Sequence, residues 1–110
     1  MNKIIFGQIG RLKKEKIDEY RELHSNCWPG VLDMIEKCNL KNYSIFIHGQ
    51  EVFSYYEYYG NNYKEDMKKM EEDEVTQKWW EKTHPCFERF TYDDQEFFAD
   101  MEQVFYHNKE

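Results

Sequence analysis

The chain is poor in the residues that build disulfide-rich scaffolds and flexible linkers. Its 110 residues include only three cysteines, two prolines and five glycines. The cysteines, at positions 27, 38 and 86, are too few and too widely spaced for a disulfide framework or a zinc knuckle. We therefore expect free thiols and a cytoplasmic location, where thiols stay reduced.

Positive charge and long apolar runs are also scarce. The net charge is −7 at neutral pH, and no stripe of Lys or Arg is visible. Proteins that bind nucleic acids or anionic membranes usually carry such a stripe, so neither is an expected partner. Apolar runs extend over only a few residues, which predicts neither a transmembrane helix nor a signal peptide.

Aromatic residues, in contrast, are abundant. They make up 18% of the chain, as nine tyrosines, eight phenylalanines and three tryptophans. Apolar residues at 40% and charged residues at 34% are typical of a folded protein, and the length suits a single domain over residues 1–110. Aromatic rings either fill a core or line a site for a flat or sugar-like ligand. We assign most of these rings to the core.

The most informative stretch is YRELHSNCWP, from Tyr20 to Pro29. Tyr20 and His24 are four residues apart, so on a helix they lie on one face, one turn from each other. A phenol beside an imidazole offers hydrogen bonds and proton transfer near neutral pH. The alternative is a core-facing helix end whose histidine is only hydrogen-bonded. A thiol nucleophile at Cys27 is a further, less favoured alternative.

Hydrophobic periodicity predicts the order of the secondary structure elements. In chain order we expect a strand at 3–9, helices at 13–26 and from 29, strands at 43–48 and 52–58, helices from 63 and 73, an irregular segment at 86–102 and a last strand at 103–107. This order predicts an α+β fold of the ferredoxin-like, split βαβ type. Such a fold has a four-stranded antiparallel sheet with helices on one face.

Both faces of the predicted hairpin carry large side chains. Tyr43, Ile45 and Ile47 share one face of its first strand, and in the second strand Phe53 and Tyr55 alternate with other large residues. Helices would cover one face, and the other needs a second cover. A second copy of the chain is the natural cover, so we expect a homodimer in the form of a dimeric α/β barrel.

The adjacent tryptophans Trp79 and Trp80 point in different directions on their predicted helix. Neighbouring helical residues diverge by about 100°, so one can anchor in the core while the other borders a cleft. Combined with the tyrosine–histidine pair, they predict a small aromatic pocket with one proton-transfer group. Because the sequence has no metal-ligand cluster, no Gly-rich phosphate loop and no Ser-His-Asp spacing, we expect no metal and no cofactor.

Five sequence features together resemble the L-rhamnose mutarotase family. They are YRELH followed by WP, then NYSIF, a strand ending in Glu, TQKWW, and VFY near the end. The resemblance extends from Ile4 to Tyr106. It implies a dimeric ferredoxin-like domain and a cofactor-free isomerase that interconverts the α and β anomers of a deoxy-hexose. L-rhamnose is the first expectation for the sugar, and L-fucose is the alternative.

The resemblance also implies roles for individual residues. It makes His24 the proton donor, and it places four residues in contact with the sugar: Tyr20, Tyr43, Trp79 and Trp80. One departure is Gly30, because many relatives have Glu after the Trp-Pro pair. Two other functions remain open on the same fold, namely a non-catalytic ligand-binding dimer and a cofactor-free monooxygenase acting on an extended aromatic substrate.

Overall fold

The structure, a computed structural model, describes residues 3–89 and 97–107. The strands are β1 (Ile4–Leu12), β2 (Leu40–His48), β3 (Glu51–Tyr58), β4 (Phe87–Glu88) and β5 (Phe98–Met101). The helices are α1 (Ile17–Ser25), α2 (Pro29–Lys37), α3 (Tyr63–Glu72) and α4 (Glu74–Thr83). Short 3-10 turns at Lys14–Lys16 and His84–Cys86 precede α1 and follow α4. Within the described ranges, no helix is both long and apolar enough to cross a membrane.

Strands β1 and β3 form the centre of an antiparallel sheet. They pair from Ile4 opposite Tyr58 to Arg11 opposite Glu51, and β2 pairs with the other edge of β3. The second edge of β1 is divided between β5, at residues 7–10, and β4, at residues 11–12. The predicted α+β fold with an antiparallel sheet and helices is confirmed. The fourth strand position, however, is built from two short strands.

The prediction for the last strand was wrong. Residues 103–107, which we expected to form it, belong to no strand. Strands β4 and β5 instead lie in the segment 86–102, for which we expected irregular structure, and residues 90–96 of that segment lie outside the described residues. Pairing decides the outcome, because Ala99 is buried opposite Ile9 whereas Val104 is 86% exposed. A short apolar pattern does not reveal which stretch will find a partner strand.

A glycine allows the late strand to approach β1 closely. A Cβ atom at Gly10 would lie 2.7 Å from the backbone oxygen of Phe97 and 3.1 Å from the ring of Phe87. Any larger residue would therefore push β5 away from β1. The sheet edge at the junction of β4 and β5 depends on this missing side chain.

The helix boundaries follow from local sequence signals. Pro29 begins α2, where its lack of an N–H group costs nothing, and so it separates α1 from α2 as predicted. Asn62 caps α3 by accepting a hydrogen bond from the backbone N–H of Glu65 at 3.1 Å. Asp73 caps α4 in the same way through the N–H of Thr76 at 2.9 Å. The predicted break between α3 and α4 is confirmed.

Two apolar clusters pack the helices onto one face of the sheet. The first joins α1 to the sheet through Tyr20, Leu12, Val52, Cys86 and Phe87, with Ile45 and Ile47 packed against them. The second joins α2 and α3 to the sheet through Leu40, Tyr56 and Tyr58, with Phe6, Ile35, Met67 and Met70. The buried residues of β3 in these clusters are all even-numbered, so its odd-numbered residues face the side opposite the helices.

Gly30 allows α2 and α4 to pack closely. A Cβ atom at this position would lie 2.8 Å from Cγ1 of Val75, which is closer than real Cβ atoms come. Val75 cannot easily move aside, because a β-branched side chain has few rotamers in a helix. The departure noted in the sequence at Gly30 therefore has a packing reason, and a glutamate here would require a different partner at position 75.

We expect Gly30→Ala to lower the free energy of unfolding by about 1–2 kcal/mol. Overpacking costs ~1–3 kcal/mol, and the higher helix propensity of alanine, worth about 1 kcal/mol in a helix interior, offsets only part of this at the second residue of α2. Adding Val75→Ala should restore the lost stability, with Val75→Ala alone as the matched control. Urea unfolding followed by circular dichroism measures all four proteins. Equal stability of Gly30→Ala and the parent would show that α2 and α4 do not pack as described.

Candidate active site

A cleft of about 450 Å³ opens between the helices and β2. Its aromatic and polar walls are formed by His24, Cys27, Tyr43, Thr76, Trp79 and Trp80. Helix α2 adds an apolar side through Val31, Leu32 and Ile35, and Ile45 and Met70 complete the lining. This volume is within the range of small-molecule sites, and the mixture of rings with a few polar groups is typical of them.

The structure brings four of the five predicted site residues into this cleft. His24, Tyr43, Trp79 and Trp80 all line it. Tyr20 does not line it; this residue is only 2% exposed, and its ring packs against His24 at a centroid distance of 4.1 Å. It lines an adjoining recess of about 310 Å³ that shares His24 and Ile45 with the cleft. His24 therefore separates the cleft from the recess and is accessible from both.

A larger, shallower groove of about 700 Å³ lies on the other side of Trp80. Lys13, Gln77, His84 and Phe87 contribute to its walls, but His24 and Tyr43 do not. The larger groove has an imidazole of its own in His84, but of the five predicted site residues it contains only Trp80. Chemistry rather than size identifies the smaller cleft as the candidate active site.

The protonation pattern of His24 is determined by a backbone carbonyl. Nδ1 of His24 lies 2.9 Å from the carbonyl oxygen of Tyr20, one helical turn earlier. A carbonyl oxygen can only accept a hydrogen bond, so Nδ1 must carry the proton. In the neutral ring Nε2 then has a free lone pair, and it has no hydrogen-bond partner among the described residues. This imidazole is therefore oriented to accept a proton.

Burial keeps His24 neutral and the nearby phenols protonated. Desolvation lowers the pKa of His24 below its usual value, although the Tyr20 carbonyl opposes this shift. Desolvation raises the pKa of Tyr20, with a smaller contribution from the nearby Tyr43 phenol. Tyr43 is 40% exposed overall, but burial of its hydroxyl end raises its pKa to about 12. The site thus combines one neutral base with two hydroxyl donors.

The predicted divergence of the two tryptophans is confirmed. Trp79 is buried, and its ring lies edge-on to His24 and to Trp28, with centroids 5.2 Å apart in both pairs. Trp80 is half-buried and stacks on His84 at 5.5 Å and 17°. Although both rings line the cleft, Trp79 also packs the helices, whereas Trp80 stands between the cleft and the larger groove.

The contribution of α2 and of the end of α3 to the cleft was not predicted from the sequence. The apolar residues of α2 that recur at helical spacing, namely Val31, Met34, Ile35 and Cys38, indicated only a helix packed on the core. Leu32, which is outside that stripe, also lines the cleft. The spacing of Met70 and Thr76, near the break between α3 and α4, indicated helices but not a site. Their position depends on how two separate helices pack, which periodicity within one helix does not contain.

The other candidate groups are less suited to chemistry. Burial raises the pKa of Cys27, so this thiol remains protonated and is a poor nucleophile. His48 and His107 are exposed, and neither lines the cleft. The described part of the chain contains no group of three or more side chains that could hold a metal ion.

Comparisons with known proteins find relatives that match nearly the whole chain. A family model described as L-rhamnose mutarotase matches residues 6–107. An L-rhamnose mutarotase from Oceanobacillus iheyensis is 32% identical over 102 residues, covering 91% of this chain and 94% of that protein.

Solved structures show the same fold. The crystal structure of an L-rhamnose mutarotase from Formosa agariphila has a TM-score of 0.74 at 21% identity and covers 96% of this chain and 99% of its own. A NIPSNAP family protein from Agrobacterium tumefaciens has a TM-score of 0.64 at 19% identity, over 94% of this chain and 87% of that one. The fold is therefore shared by proteins of more than one family, and it does not by itself identify the activity.

We expect NMR to find His24 as the Nδ1–H tautomer with a lowered pKa. Proton–nitrogen correlation spectra report the tautomer, and a pH titration of the ring reports the pKa, with His24→Asn identifying the signal. Because the folded-state pKa lies below the unfolded value, the unfolded state binds the proton first as the pH falls. Stability should therefore decrease as the pH drops below about 6.5. An Nε2–H tautomer, or a pKa above 6.5, would contradict this geometry.

Proposed function

Because the chain belongs to the L-rhamnose mutarotase family, we propose that it interconverts the α and β anomers of L-rhamnose in the cleft beside His24. One observation supports this site most directly. The Tyr20 carbonyl holds the proton of His24 on Nδ1, which leaves Nε2 as a base in an aromatic cleft of sugar size. A non-catalytic binding dimer would have no use for an imidazole oriented in this way.

The proposed chemistry needs one group that takes a proton and then gives it back. Nε2 of His24 removes the proton from the anomeric hydroxyl O1, the bond between C1 and the ring oxygen O5 breaks, and the imidazolium protonates O5. Both oxygens are bonded to C1, so one nitrogen can reach both. The open-chain aldehyde then rotates about C1–C2, and the reverse steps close the ring on the other face. No net proton is gained or lost.

The protonation states of the site suit this sequence of steps. The lowered pKa of His24 keeps it ready to accept the first proton, and the donor role implied by the family resemblance follows once it is protonated. A positioned acid–base group contributes a rate factor of about 10²–10⁴. In our proposal, the raised pKa of Tyr43 keeps its phenol available as a hydrogen-bond donor to a sugar oxygen.

The aromatic walls would bind the sugar by its apolar side. A pyranose ring presents C–H groups on one face, and the faces of tryptophan rings pack well against such groups. Trp79 and Trp80 provide these faces in our proposal, while Tyr43 and Tyr20 provide hydroxyl groups on the cleft and recess sides of His24. Tyr43, Trp79 and Trp80 would contact the sugar inside the cleft, whereas Tyr20 would reach it only from the recess side of His24.

We propose that the chain forms a homodimer through the sheet face opposite the helices. Phe46 and Phe53 stack on this face at a centroid distance of 6.0 Å, yet they are 59% and 37% exposed. Met101 lies on the same face, two strands away, and is 46% exposed. An apolar patch of this kind usually marks an interface, and a two-fold axis would cover it with the same surface of a second copy.

Three unpaired thiols support a reducing location. Cys27, Cys38 and Cys86 are all free, and Cys38 and Cys86 are buried. Such thiols are typical of proteins in the cytoplasm, where disulfides rarely persist. We therefore propose that the enzyme acts there.

We expect His24→Ala to slow anomer exchange of L-rhamnose by about 10²–10⁴-fold, the contribution of a general acid–base group. Saturation transfer between the two anomeric protons measures the exchange, and circular dichroism verifies the fold. His24→Asn is the matched control for the hydrogen bond, since its amide can still donate to the Tyr20 carbonyl, and it should be equally slow. If a folded His24→Ala protein exchanged the anomers as fast as the parent, the proposed mechanism would be wrong.

We expect the parent to be a dimer in light scattering at micromolar concentration, and the double variant Phe46→Asp/Phe53→Asp to be a monomer. Two charges on the stacked pair make burial of this face unfavourable. Ile4→Asp is the control, because Ile4 is 51% exposed but lies on the helix side of the sheet. A monomeric parent would disprove the dimer, and a dimeric double variant would place the interface elsewhere.

A further inference from the structure

A one-residue irregularity in β2 decides where Tyr43 points. Lys41 pairs with Glu57, but Ser44 pairs with Tyr55. Two residues of β2, Asn42 and Tyr43, therefore oppose a single residue of β3, which is the arrangement of a β-bulge. Side chains alternate between the two faces of a regular strand. If β2 had no bulge, Tyr43 would therefore lie on the same face as Lys41, which points away from the cleft.

The bulge depends on an unusual backbone conformation at Asn42. Its φ angle is +53°, in the left-handed region, which asparagine tolerates better than most residues. Its side-chain amide donates a hydrogen bond to Oε1 of Glu57 at 2.9 Å. This bond joins the bulged residue to the neighbouring strand at the point where the regular backbone ladder is interrupted.

Glu57 is itself held firmly in place. Its carboxylate accepts hydrogen bonds from the hydroxyls of Tyr55 at 2.6 Å and Tyr59 at 2.9 Å, and Nζ of Lys3 lies 3.9 Å away. Glu57 is only 6% exposed. These hydrogen bonds, led by that of Tyr55, lower its pKa, so the carboxylate stays ionised. It provides a fixed, charged acceptor for the Asn42 amide.

Glu57 lies on the other side of the sheet from the cleft. It is opposite Lys41 and Ile5, on the face that the helices leave uncovered. Tyr43, in contrast, stacks on Tyr56 at a centroid distance of 5.0 Å and lines the cleft. Tyr56 is the single β3 residue opposite the bulge. The carboxylate therefore cannot contact a bound sugar, but it is one hydrogen bond away from the backbone that carries Tyr43.

We propose that Asn42 and Glu57 are positioning residues that hold Tyr43 in the cleft by stabilising the β-bulge of β2. The inference rests on the proposed contact between Tyr43 and the sugar. Loss of the amide–carboxylate bond frees the bulge to rearrange, and the Tyr43 hydroxyl then has to be ordered again when the sugar binds. The cost appears in sugar affinity, because the acid–base group His24 is on a different element.

The test compares Asn42→Gly and Glu57→Gln with the parent. Glycine accepts the positive φ angle, so Asn42→Gly removes the amide without straining the backbone. Glu57→Gln removes the charge at nearly constant volume. We expect both to raise the half-saturating concentration of L-rhamnose, read from tryptophan fluorescence, by roughly two- to tenfold, the range of one hydrogen bond. The exchange rate at saturating sugar should change by less than about twofold if the effect is confined to binding.

A structural readout separates positioning from general destabilisation. In protein labelled with 3-fluorotyrosine, the fluorine NMR signal of residue 43 is identified by its loss in Tyr43→Phe. This signal should shift or broaden in Asn42→Gly and Glu57→Gln. Glu51→Gln is the matched control, since Glu51 lies on the same strand and face but pairs with Arg11 at 2.8 Å. It should leave the signal and the affinity unchanged.

A double-variant cycle shows whether the bulge changes sugar affinity through Tyr43. If the bulge acts through Tyr43, Asn42→Gly should have much less effect on affinity in a Tyr43→Phe background. An equal effect in both backgrounds, or an unchanged signal and affinity in Asn42→Gly, would overturn the inference while leaving the proposed function intact. If Tyr43→Phe alone leaves sugar affinity unchanged, the proposed sugar contact is wrong, and the fluorine signal still decides whether the bulge positions the ring.

Discussion

The packing of Trp79 against two other rings holds the helices around the cleft in place. Its side chain on α4 meets His24 of α1 and Trp28 at the start of α2, edge-on in both cases. Aromatic rings favour this geometry beyond the area that they bury. His24 is consequently confined between Trp79 and Tyr20, whose ring centroid lies 4.1 Å away. The contact that joins three helices also desolvates the imidazole, and desolvation lowers its pKa.

The parts of the structure that could be predicted depend on residues close together in the chain. The spacing of Tyr20 and His24, the proline that begins α2 and the Asp73 cap each act within about one helical turn. The divergence of Trp79 and Trp80 follows from helix geometry alone. From such local features, four helices and the position of most candidate site residues on them could be predicted. A helix is stabilised mainly by interactions between residues that are close together in the chain.

The features that could not be predicted depend on distant partners. The true last strand is β5 because the backbone of residue 97 comes close to Gly10, some ninety residues earlier. The bulge at Asn42 is held by Glu57 on another strand. The Tyr20 and His24 rings do lie side by side, with centroids 4.1 Å apart, but the hydrogen bond of the imidazole goes to the backbone carbonyl oxygen of Tyr20 and not to its phenol. Sequence spacing brought the two residues together without revealing which atoms would bond.

Strand β3 connects the two sides of the sheet through the alternation of its residues. Tyr56 is buried on the helix side of the sheet and stacks on Tyr43, whereas the adjacent Tyr55 and Glu57 face the uncovered side. In the proposed dimer, a second copy would exclude water from that side of the sheet and lower the local dielectric constant. The hydrogen bonds to Glu57 would become stronger, because electrostatic interactions are stronger at a lower dielectric constant. The bulge that directs Tyr43 would then be held most firmly in the assembled dimer. In the proposed dimer, burial on one face of the sheet would thus contribute to the order of the site on the other.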